Sequence, residues 1–411
     1  MISFESQLIV YIVLALAVAL IVSFLMTPVV KTFAYKVGAI DVPKDDRRMH
    51  KVPVPRLGGL AIFIGFMVSI FIFVPITPEM RSILLGAVVI VVLGVVDDIM
   101  ALPAMLKFVV QIVAALIPAL SGVRILAFSN PNIFSDNLYW VLGGLSIPVT
   151  VLWIVAITNS VNLIDGLDGL ANGVSAISAT TMLLIALIAS ELQVATVMAA
   201  LVGACVGFMP YNLNPAKMFM GDTGATFLGY ILATMSIQGL FKYYAVISFV
   251  VPFLILGLPI FDTAFAFIRR IAHGQSPMHA DRSHIHHRLI DMGLNQKQAV
   301  AVLYVISAIL GLSAVVLATS GEIKAILCLM ALIIVCLIAV RVIFLPHMSD
   351  EEKKHFKEHS LRQELSEIEE EVREDAASRR EPLSGAQPAE DEETLAGEGS
   401  DTDGSETGGR A

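Results

Sequence analysis

The chain has 411 residues, of which 56% are hydrophobic and only 15% are charged. An ordinary soluble domain has roughly 45–50% apolar and about 25% charged residues, so this composition excludes a simple soluble protein and indicates a multi-span membrane protein. The formal net charge is −9, but residues 350–411 alone contain 20 acidic and 8 basic residues, which leaves the rest of the chain mildly basic.

The apolar runs, taken in chain order, predict eleven membrane-spanning helices, because about 20 helical residues are needed to cross ~30 Å of hydrocarbon. Helices are expected because open strands leave backbone groups unsatisfied in lipid. The predicted spans are roughly 8–30, 57–76, 82–98, 105–121, 138–158, 170–190, 194–210, 224–240, 244–268, 299–318 and 323–345. The predicted fold class is an all-α polytopic membrane protein, with its membrane domain over residues 1–346.

Basic residues orient this predicted bundle. The 31–56 loop holds seven Lys and Arg residues, and the loop after the ninth span holds four arginines, whereas the loops on the other side hold few. The positive-inside rule therefore places the N-terminus outside and the C-terminus in the cytoplasm of a cell membrane. The polar loops, including 97–107, 159–169 and 211–223, are then expected at the cytoplasmic face.

The last part of the chain has a different composition. Residues 347–381 are highly charged and can form a helix with opposite charges four positions apart. Residues 382–411 are rich in Gly, Ser, Glu and Asp, which is typical of a disordered acidic tail.

Between the third and fourth predicted spans, the stretch VVDDIMALPAMLKF carries Asp97, Asp98 and Lys107. A charged side chain at the bilayer centre costs about 2.5–3.5 kcal/mol on insertion scales, so these residues are expected where water or partners reach them. A solvated helix end would also explain an acidic pair, although further carboxylates are expected at the same face.

The stretch TNSVNLIDGLDGLANG carries polar side chains at every third position, namely Asn159, Asn162, Asp165 and Asp168. Its two Asp-Gly steps predict a loop or a broken helix leading into the next span. Capping of that helix would account for one or two of the four residues, but not for all of them.

Two further clusters complete the set. In NLNPAKMFMGDTGATFLG, Asp222 lies just before an apolar helix, where backbone amides suit a phosphate, and simple N-capping by Asp222 is an equal alternative. The HADRSHIHHRL stretch is dense in His and Arg and lacks Cys, which favours an anion-binding role over a zinc site. Oxygen ligands for Mg²⁺ beside cations for phosphate indicate phosphoryl transfer on a pyrophosphate at the cytoplasmic leaflet.

Two other classes of protein, a secondary transporter and an inactive scaffold, are alternatives to a phosphoryl-transfer enzyme. A secondary transporter predicts ionisable residues near the bilayer midplane and an inverted repeat. Only Asp262 lies deep within a predicted span, and it is interpreted as a polar contact inside the bundle. An inactive scaffold that recruits partners through its acidic tail is the third reading, and the intact polar clusters disfavour it.

The motifs resemble those of the polyprenyl-phosphate N-acetylhexosamine-1-phosphate transferases of glycosyltransferase family 4, in order over about residues 8–345. DDRRMHKVPVPRLGGLAIF resembles the first cytoplasmic loop of that family, VVDDIMALPAMLKF its acidic pair, NSVNLIDGLDGLANG its third motif and FMGDTGATFLG its fourth. HIHHRL resembles the branch that uses UDP-N-acetylglucosamine (UDP-GlcNAc). The longer DDxxD motif of some members is incomplete here, because position 101 is Ala101.

The resemblance implies transfer of GlcNAc-1-phosphate from UDP-GlcNAc to undecaprenyl phosphate. The reaction releases UMP and begins a lipid-linked envelope glycan such as teichoic acid or O-antigen. Mg²⁺ is the implied cofactor, with Mn²⁺ as a substitute, and a homodimer is compatible with the family, while no nucleic-acid partner is expected. The alternative within the family is the UDP-MurNAc-pentapeptide phosphotransferase of peptidoglycan synthesis, whose run of adjacent histidines followed by an acidic residue is not found here.

The resemblance also assigns roles to individual residues. Catalytic roles fall on Asp97, Asp98, Asp165 and His286, and the implied metal ligands are Asp222 and Asn162. Phosphate or sugar contacts are implied for Lys107, Arg282, His286, His287 and Arg288, and nucleotide contacts for Asp168, Asn212 and Phe219.

Overall fold

A computed structural model describes residues 4–42, 53–129, 139–239, 250–272 and 284–320. Its twelve α-helices in these ranges are α1 (Phe4–Val37), α2 (Gly58–Phe73), α3 (Pro78–Met100), α4 (Ala104–Leu120), α5 (Ser146–Leu163), α6 (Leu170–Ile188), α7 (Leu192–Asn212), α8 (Gly221–Gly239), α9 (Val250–Ile255), α10 (Gly257–Ala272), α11 (Ile285–Asp291) and α12 (Gln296–Ser320). Two short antiparallel pairs lie between helices, β1 (Ile40–Asp41) with β2 (Val54–Pro55) and β3 (Ala127–Ser129) with β4 (Tyr139–Val141).

The described part of the chain is an all-α polytopic membrane protein, as predicted. Six of its helices, α1, α3, α5, α6, α7 and α12, are long and apolar enough to cross a membrane, and α2, α4 and α10 are shorter apolar helices. A helix lies at each of the first ten predicted spans, while the eleventh, 323–345, and the tail lie outside the described residues.

Helix α8 lies at the centre of the bundle and is buried along nearly its whole length. Phe227 and Tyr230 on this helix are completely inaccessible, and α3 and α5 pack on opposite parts of it. Around it, α1 packs closely on α7, because Gly203 and Gly207 let the carbonyl oxygens of Leu16 and Leu20 approach. This small-xxx-small spacing is a common way to bring membrane helices together.

Two predicted boundaries are wrong. Helix α5 begins at Ser146 rather than near 138, and it continues to Leu163, so Asn159 is helical and not part of a loop. The physical reason is a partner on a neighbouring helix: the Asn159 amide donates to Gln111 Oε1 at 2.6 Å and to the Val155 carbonyl at 2.8 Å. A polar side chain satisfied in this way does not need to leave the helix.

The predicted span 244–268 is not one helix over its described part. Helices α9 and α10 are separated at Leu256. Pro259 has no N–H to donate to a carbonyl four residues earlier, and its ring crowds that carbonyl, so the helix is interrupted just before it. The break leaves α10 a separate element that carries Asp262 towards the polar end of the bundle.

Candidate functional site

A cavity of about 670 Å³ opens at one end of the bundle. Helices α3, α5 and α7 end there, α6, α8 and α12 begin there, and the strand before α2 forms one wall. The predicted site residues that line it are Asp98, Asn162, Asp165, Asp168, Asn212, Phe219, Asp222 and His287. The polar clusters of four distant stretches of sequence therefore meet in one place.

Lys107 joins the acidic pair of α3 to the start of α8. Its Nζ lies 2.9 Å from Asp97 Oδ2 and 3.1 Å from Asp222 Oδ2. Asp97 Oδ1 also accepts from the Leu102 amide at 2.7 Å. A single ammonium group therefore spaces two carboxylates that would otherwise repel each other.

Asp98 has a different environment from its neighbour Asp97. Its Oδ1 accepts from the Asp222 amide at 3.1 Å, and its Oδ2 accepts from the Thr223 amide at 3.0 Å and from the Thr223 hydroxyl at 2.6 Å. The two amides belong to the first turn of α8, which has no intrahelical acceptor for them. Asp98 thus fixes the helix that presents Asp222, while Asp97 faces Lys107.

Asp165 lies in the turn between α5 and α6, inside the cavity. Burial, followed by the charges of Asp222, Asp98 and Asp168, raises the pKa of this carboxyl to about 8. Burial and the neighbouring carboxylates thus oppose ionisation of Asp165, and an added cation would favour its charged form.

Asp168 and its neighbours form the opposite wall. Asp168 Oδ2 accepts from Asn214 Nδ2 at 2.9 Å and from the Ala216 amide at 3.0 Å, and the Asn214 amide also donates to Gln296 Oε1 at 2.6 Å. Tyr304 on α12 donates to the Gly169 carbonyl at 2.6 Å. Helix α12 thus holds the turn that carries both aspartates.

Asn212 and Phe219 lie on the segment that leads from α7 to α8. The Asn212 amide donates to the Met218 carbonyl at 3.2 Å, and its buried Oδ1 has no hydrogen-bond partner in the described residues. The Phe219 amide donates to the Pro55 carbonyl at 2.8 Å, and the Gly58 amide donates back to the Phe219 carbonyl at 2.9 Å. This exchange fixes Phe219 at the cavity wall, and the buried Asn212 oxygen is available to a ligand donor.

The histidine-rich stretch is divided between cavity and core. His287 lines the cavity, whereas His286 is 3% exposed and packs on Gly166. Arg288 stacks on Phe265, 5.2 Å from the ring centroid. Arg282 lies outside the described residues. Of the three predicted phosphate or sugar contacts of this stretch that the structure describes, His287 is the one that lines the cavity.

Asp262 is a polar contact inside the bundle, as predicted. Its Oδ2 lies 2.9 Å from His284 Nδ1, and its Oδ1 accepts from the Ile285 amide at 2.8 Å. The His284 ring stacks on His286, with ring centroids 5.7 Å apart. Asp262 therefore anchors α11 against α10 and holds it beside the turn at Gly166.

Burial, with a smaller contribution from His287, lowers the pKa of His286 to about 4. The ring is thus neutral throughout the physiological range. We expect His286→Gln to lower kcat/KM by the same factor at every pH between roughly 5.5 and 8, because no proton is gained or lost there. The measurement is the rate of UMP release by wild type, His286→Gln and His287→Gln across this pH range. A ratio to wild type that changes with pH would show that His286 titrates during turnover.

The donor set of the cavity fits a hard divalent cation better than a zinc cage. No three His, Cys, Asp or Glu side chains of the described ranges are arranged to hold a metal by themselves. Asn162 and Asp222 nevertheless present oxygens to the same cavity, beside the carboxyl group of Asp165. Mg²⁺ needs only one or two such protein ligands, because water and substrate phosphates complete its shell.

Sequence reasoning missed several residues of this site. Arg56, Asn214 and Gln296 line the cavity, and Thr223 and Tyr304 hold its walls. The sequence identifies Arg56 only as one of the seven basic residues of the 31–56 loop. The sequence could not predict that Arg56 contacts the acidic pair, because 42 positions separate it from Asp98.

Comparisons with known proteins agree with the motifs. The glycosyl transferase family 4 profile matches residues 80–240, a range that contains the acidic pair, Lys107 and Asp222. The chain is 42% identical to a probable undecaprenyl-phosphate N-acetylglucosaminyl 1-phosphate transferase of Bacillus subtilis over 74% of this chain and 85% of that protein. It is 31% identical to the decaprenyl-phosphate N-acetylglucosaminephosphotransferase of Mycobacterium tuberculosis, over 70% of this chain and 77% of the relative.

A third relative is more distant. The undecaprenyl-phosphate alpha-N-acetylglucosaminyl 1-phosphate transferase of Yersinia pestis is 27% identical, over 70% of this chain and 79% of its own length. The names of all three relatives combine a polyprenyl phosphate with the transfer of N-acetylglucosamine phosphate. With the family profile and the cavity at one end of an all-helical bundle, they show that the chain belongs to glycosyl transferase family 4, in its polyprenyl-phosphate N-acetylglucosamine-1-phosphate transferase branch.

Proposed function

We propose that this protein transfers GlcNAc-1-phosphate from UDP-GlcNAc to undecaprenyl phosphate and releases UMP. The observation that carries the proposal is the Asp97–Lys107–Asp222 cluster beside a 670 Å³ cavity. Relatives with a polyprenyl-phosphate acceptor in their names support the choice of acceptor. The bond that forms joins an oxygen of the lipid phosphate to the sugar-linked phosphorus, and the bond that breaks is the one between this phosphorus and the UMP oxygen.

The orientation follows from charge. Lys and Arg residues concentrate in the 31–56 and 269–298 loops of the sequence, and Arg56, His287 and Gln296 of these two ranges line the cavity, so we place the cavity at the cytoplasmic face and the N-terminus outside. Eleven spans then put the C-terminus in the cytoplasm. In this arrangement residues 1–346 are the transferase domain, 347–381 a charged segment and 382–411 an acidic tail. The site faces the compartment that supplies nucleotide sugars.

Within the cavity, the chain's own residues have distinct tasks in the proposed reaction. Lys107 donates to both carboxylates. Because an ammonium group has three donors, one is left for a phosphate oxygen. Asp97 is positioned to orient or deprotonate the lipid phosphate. Asp98 acts through α8, whose first turn it fixes. Phe219, Asp168 and Asn212 are the proposed contacts to the uracil end.

Asn162 and Asp222 are the residues that would hold Mg²⁺, with Asp165 close by. When bound, the ion supplies charge neutralisation for the pyrophosphate and its leaving group. Lys107 provides the positioning that the chain contributes by itself, and Asp98 holds the first turn of α8 in place through its backbone amides.

The test is a UMP-release assay. Purified protein in detergent is given Mg²⁺, undecaprenyl phosphate and, in separate reactions, UDP-GlcNAc, UDP-GalNAc or UDP-MurNAc-pentapeptide. We expect UMP from UDP-GlcNAc alone, and none after EDTA is added, because the cavity's negative charge then opposes a pyrophosphate. UMP from the pentapeptide substrate only would assign the peptidoglycan branch, and no UMP from any donor with folded protein would overturn the proposal in favour of transport or scaffolding.

A further inference from the structure

Arg56 is a charged residue of the cavity that the roles above leave unused. Five aspartates line the cavity, Asp41, Asp98, Asp165, Asp168 and Asp222. Arg56 is the only Lys or Arg in the lining as far as the described residues extend. A nucleotide-sugar donor brings a pyrophosphate with further negative charge, so the position of the one fixed guanidinium matters for where that group can lie.

The backbone of Arg56 is held on both sides. Its amide donates to the Ala39 carbonyl at 3.0 Å, as the β1–β2 pairing delivers it to the cavity. Its carbonyl packs against Gly221, where an added Cβ would lie 2.6 Å from that oxygen and 2.5 Å from an Asp98 carboxylate oxygen. Arg56 therefore borders the same turn that presents Asp222.

Within the described residues, the Arg56 side chain donates a hydrogen bond from one nitrogen only. Arg56 Nε donates to the Asp98 carbonyl at 3.1 Å, near the C-terminal end of α3. This contact leaves the two terminal nitrogens of the guanidinium for another acceptor. A planar fork of this kind matches two phosphate oxygens better than an ammonium group does.

A purely structural role is the alternative explanation for the position of the Arg56 side chain. An arginine near the end of a helix can simply satisfy free carbonyls there. Arg124 does that for α4: its Nε donates to the Ala119 carbonyl at 2.7 Å and its Nη2 to the Leu120 carbonyl at 3.3 Å. Arg124 gives a terminal nitrogen to the backbone and does not line the cavity, whereas Arg56 lines it.

We propose that the guanidinium of Arg56 binds the pyrophosphate of the nucleotide-sugar donor. The inference rests on the proposed function and adds a donor-binding residue to it. Held by the Asp98 carbonyl, Arg56 would present its terminal nitrogens to the phosphates while Asp98 fixes the helix turn below them. The same main-chain segment, next to the start of α2, would then determine both the shape and the charge of the donor site.

The experiment uses the full-length protein and three variants, Arg56→Gln, Arg56→Lys and the matched control Arg124→Gln. For each, KM is measured for UDP-GlcNAc at saturating undecaprenyl phosphate and for the lipid at saturating donor. Calorimetric affinities for UDP and for uridine are measured with Mg²⁺ present. Uridine carries the base and ribose without phosphate, so it reports on the shape of the site alone.

We expect Arg56→Gln to raise the donor KM and the Kd of UDP by about 10- to 100-fold, as for the loss of a hydrogen bond to a charged group. Uridine affinity and the lipid KM should stay within about twofold of wild type. Arg56→Lys keeps the charge but not the fork, so its effect on UDP should be intermediate. Arg124→Gln should change thermal stability without changing any affinity.

Unchanged UDP affinity in Arg56→Gln would overturn the inference, as would a change confined to the lipid KM or an equal loss of UDP and uridine binding. If Arg56→Gln does not fold, Arg56→Lys decides, because a UDP affinity equal to that of wild type in this variant would contradict binding of the phosphates by the guanidinium fork. A wild-type protein that releases no UMP would instead refute the proposed function, independently of the variants.

Discussion

Replacement of Asp222 by Asn is expected to lower kcat for UMP release by at least about 10³-fold. The variant keeps the size of the side chain but removes a charge that faces both Lys107 and the cavity. A bound divalent ion contributes several kcal/mol to transition-state stabilisation, and each ~1.4 kcal/mol is one decade in rate, so loss of a proposed ligand of that ion should be costly. The residual rate should also need a higher Mg²⁺ concentration, which a titration of UMP release against Mg²⁺ measures.

The control for this variant is Glu79→Gln. Glu79 lies in the first turn of α3, at the end of that helix opposite to Asp97 and Asp98, so loss of its charge should leave kcat within about twofold. An Asp222→Asn protein with near wild-type kcat and an unchanged Mg²⁺ requirement would show that Asp222 does not take part in holding the ion. The proposed ligand role would then have to pass to other residues of the cavity.

Replacement of Lys107 by Met should lower kcat by about 10²–10³-fold, in the range seen when one transition-state donor is removed. Without the ammonium group, Asp97 and Asp222 lose the charge that separates them, so they repel each other beside the proposed phosphate position. Lys107→Arg should restore only part of the activity, because a planar guanidinium cannot occupy the position of a compact ammonium group.

Lys217→Met is the matched control, because Lys217 is exposed, lies on the loop before α8 and does not line the cavity. A further check is the double variant Lys107→Met with Asp97→Asn. Removal of one carboxylate relieves the repulsion, so the double variant should lose less than the product of the two single losses. Fully multiplicative losses would contradict the idea that Lys107 acts by spacing these carboxylates.

The sequence predicted the helices well because each apolar run is long and its residues are unambiguous in lipid. It also predicted which polar clusters meet, because Asp97, Asp165 and Asp222 all occur at ends of spans on one side. The predictions that were wrong concern the local ends and breaks of helices. The break at Leu256 had a signal in Pro259, but the apolar run hid it.

Other features depended on contacts that no spacing encodes. Asn159 stays helical because Gln111, on another helix, accepts its hydrogen bond. His286 and His287 are adjacent in sequence, yet successive residues of a helix point about 100° apart, so one enters the core and the other faces the cavity. Arg56 could be recognised as part of the site only after the fold had brought it to Asp98.

The contact between Asp98 and the first turn of α8 also has a consequence for biosynthesis. The two ends of this contact are 124 positions apart. At about 5–20 residues per second, the ribosome needs roughly 6–25 s to extend the chain from Asp98 to Asp222. During that interval Asp98 has no α8 amides to bind, which is tolerable because it lies at the end of α3 rather than in its middle. We therefore expect chains that stop before Asp222 to lack the proposed site, because α8, α11 and α12, which contribute Asp222, His287 and Gln296 to the cavity, have not yet been made.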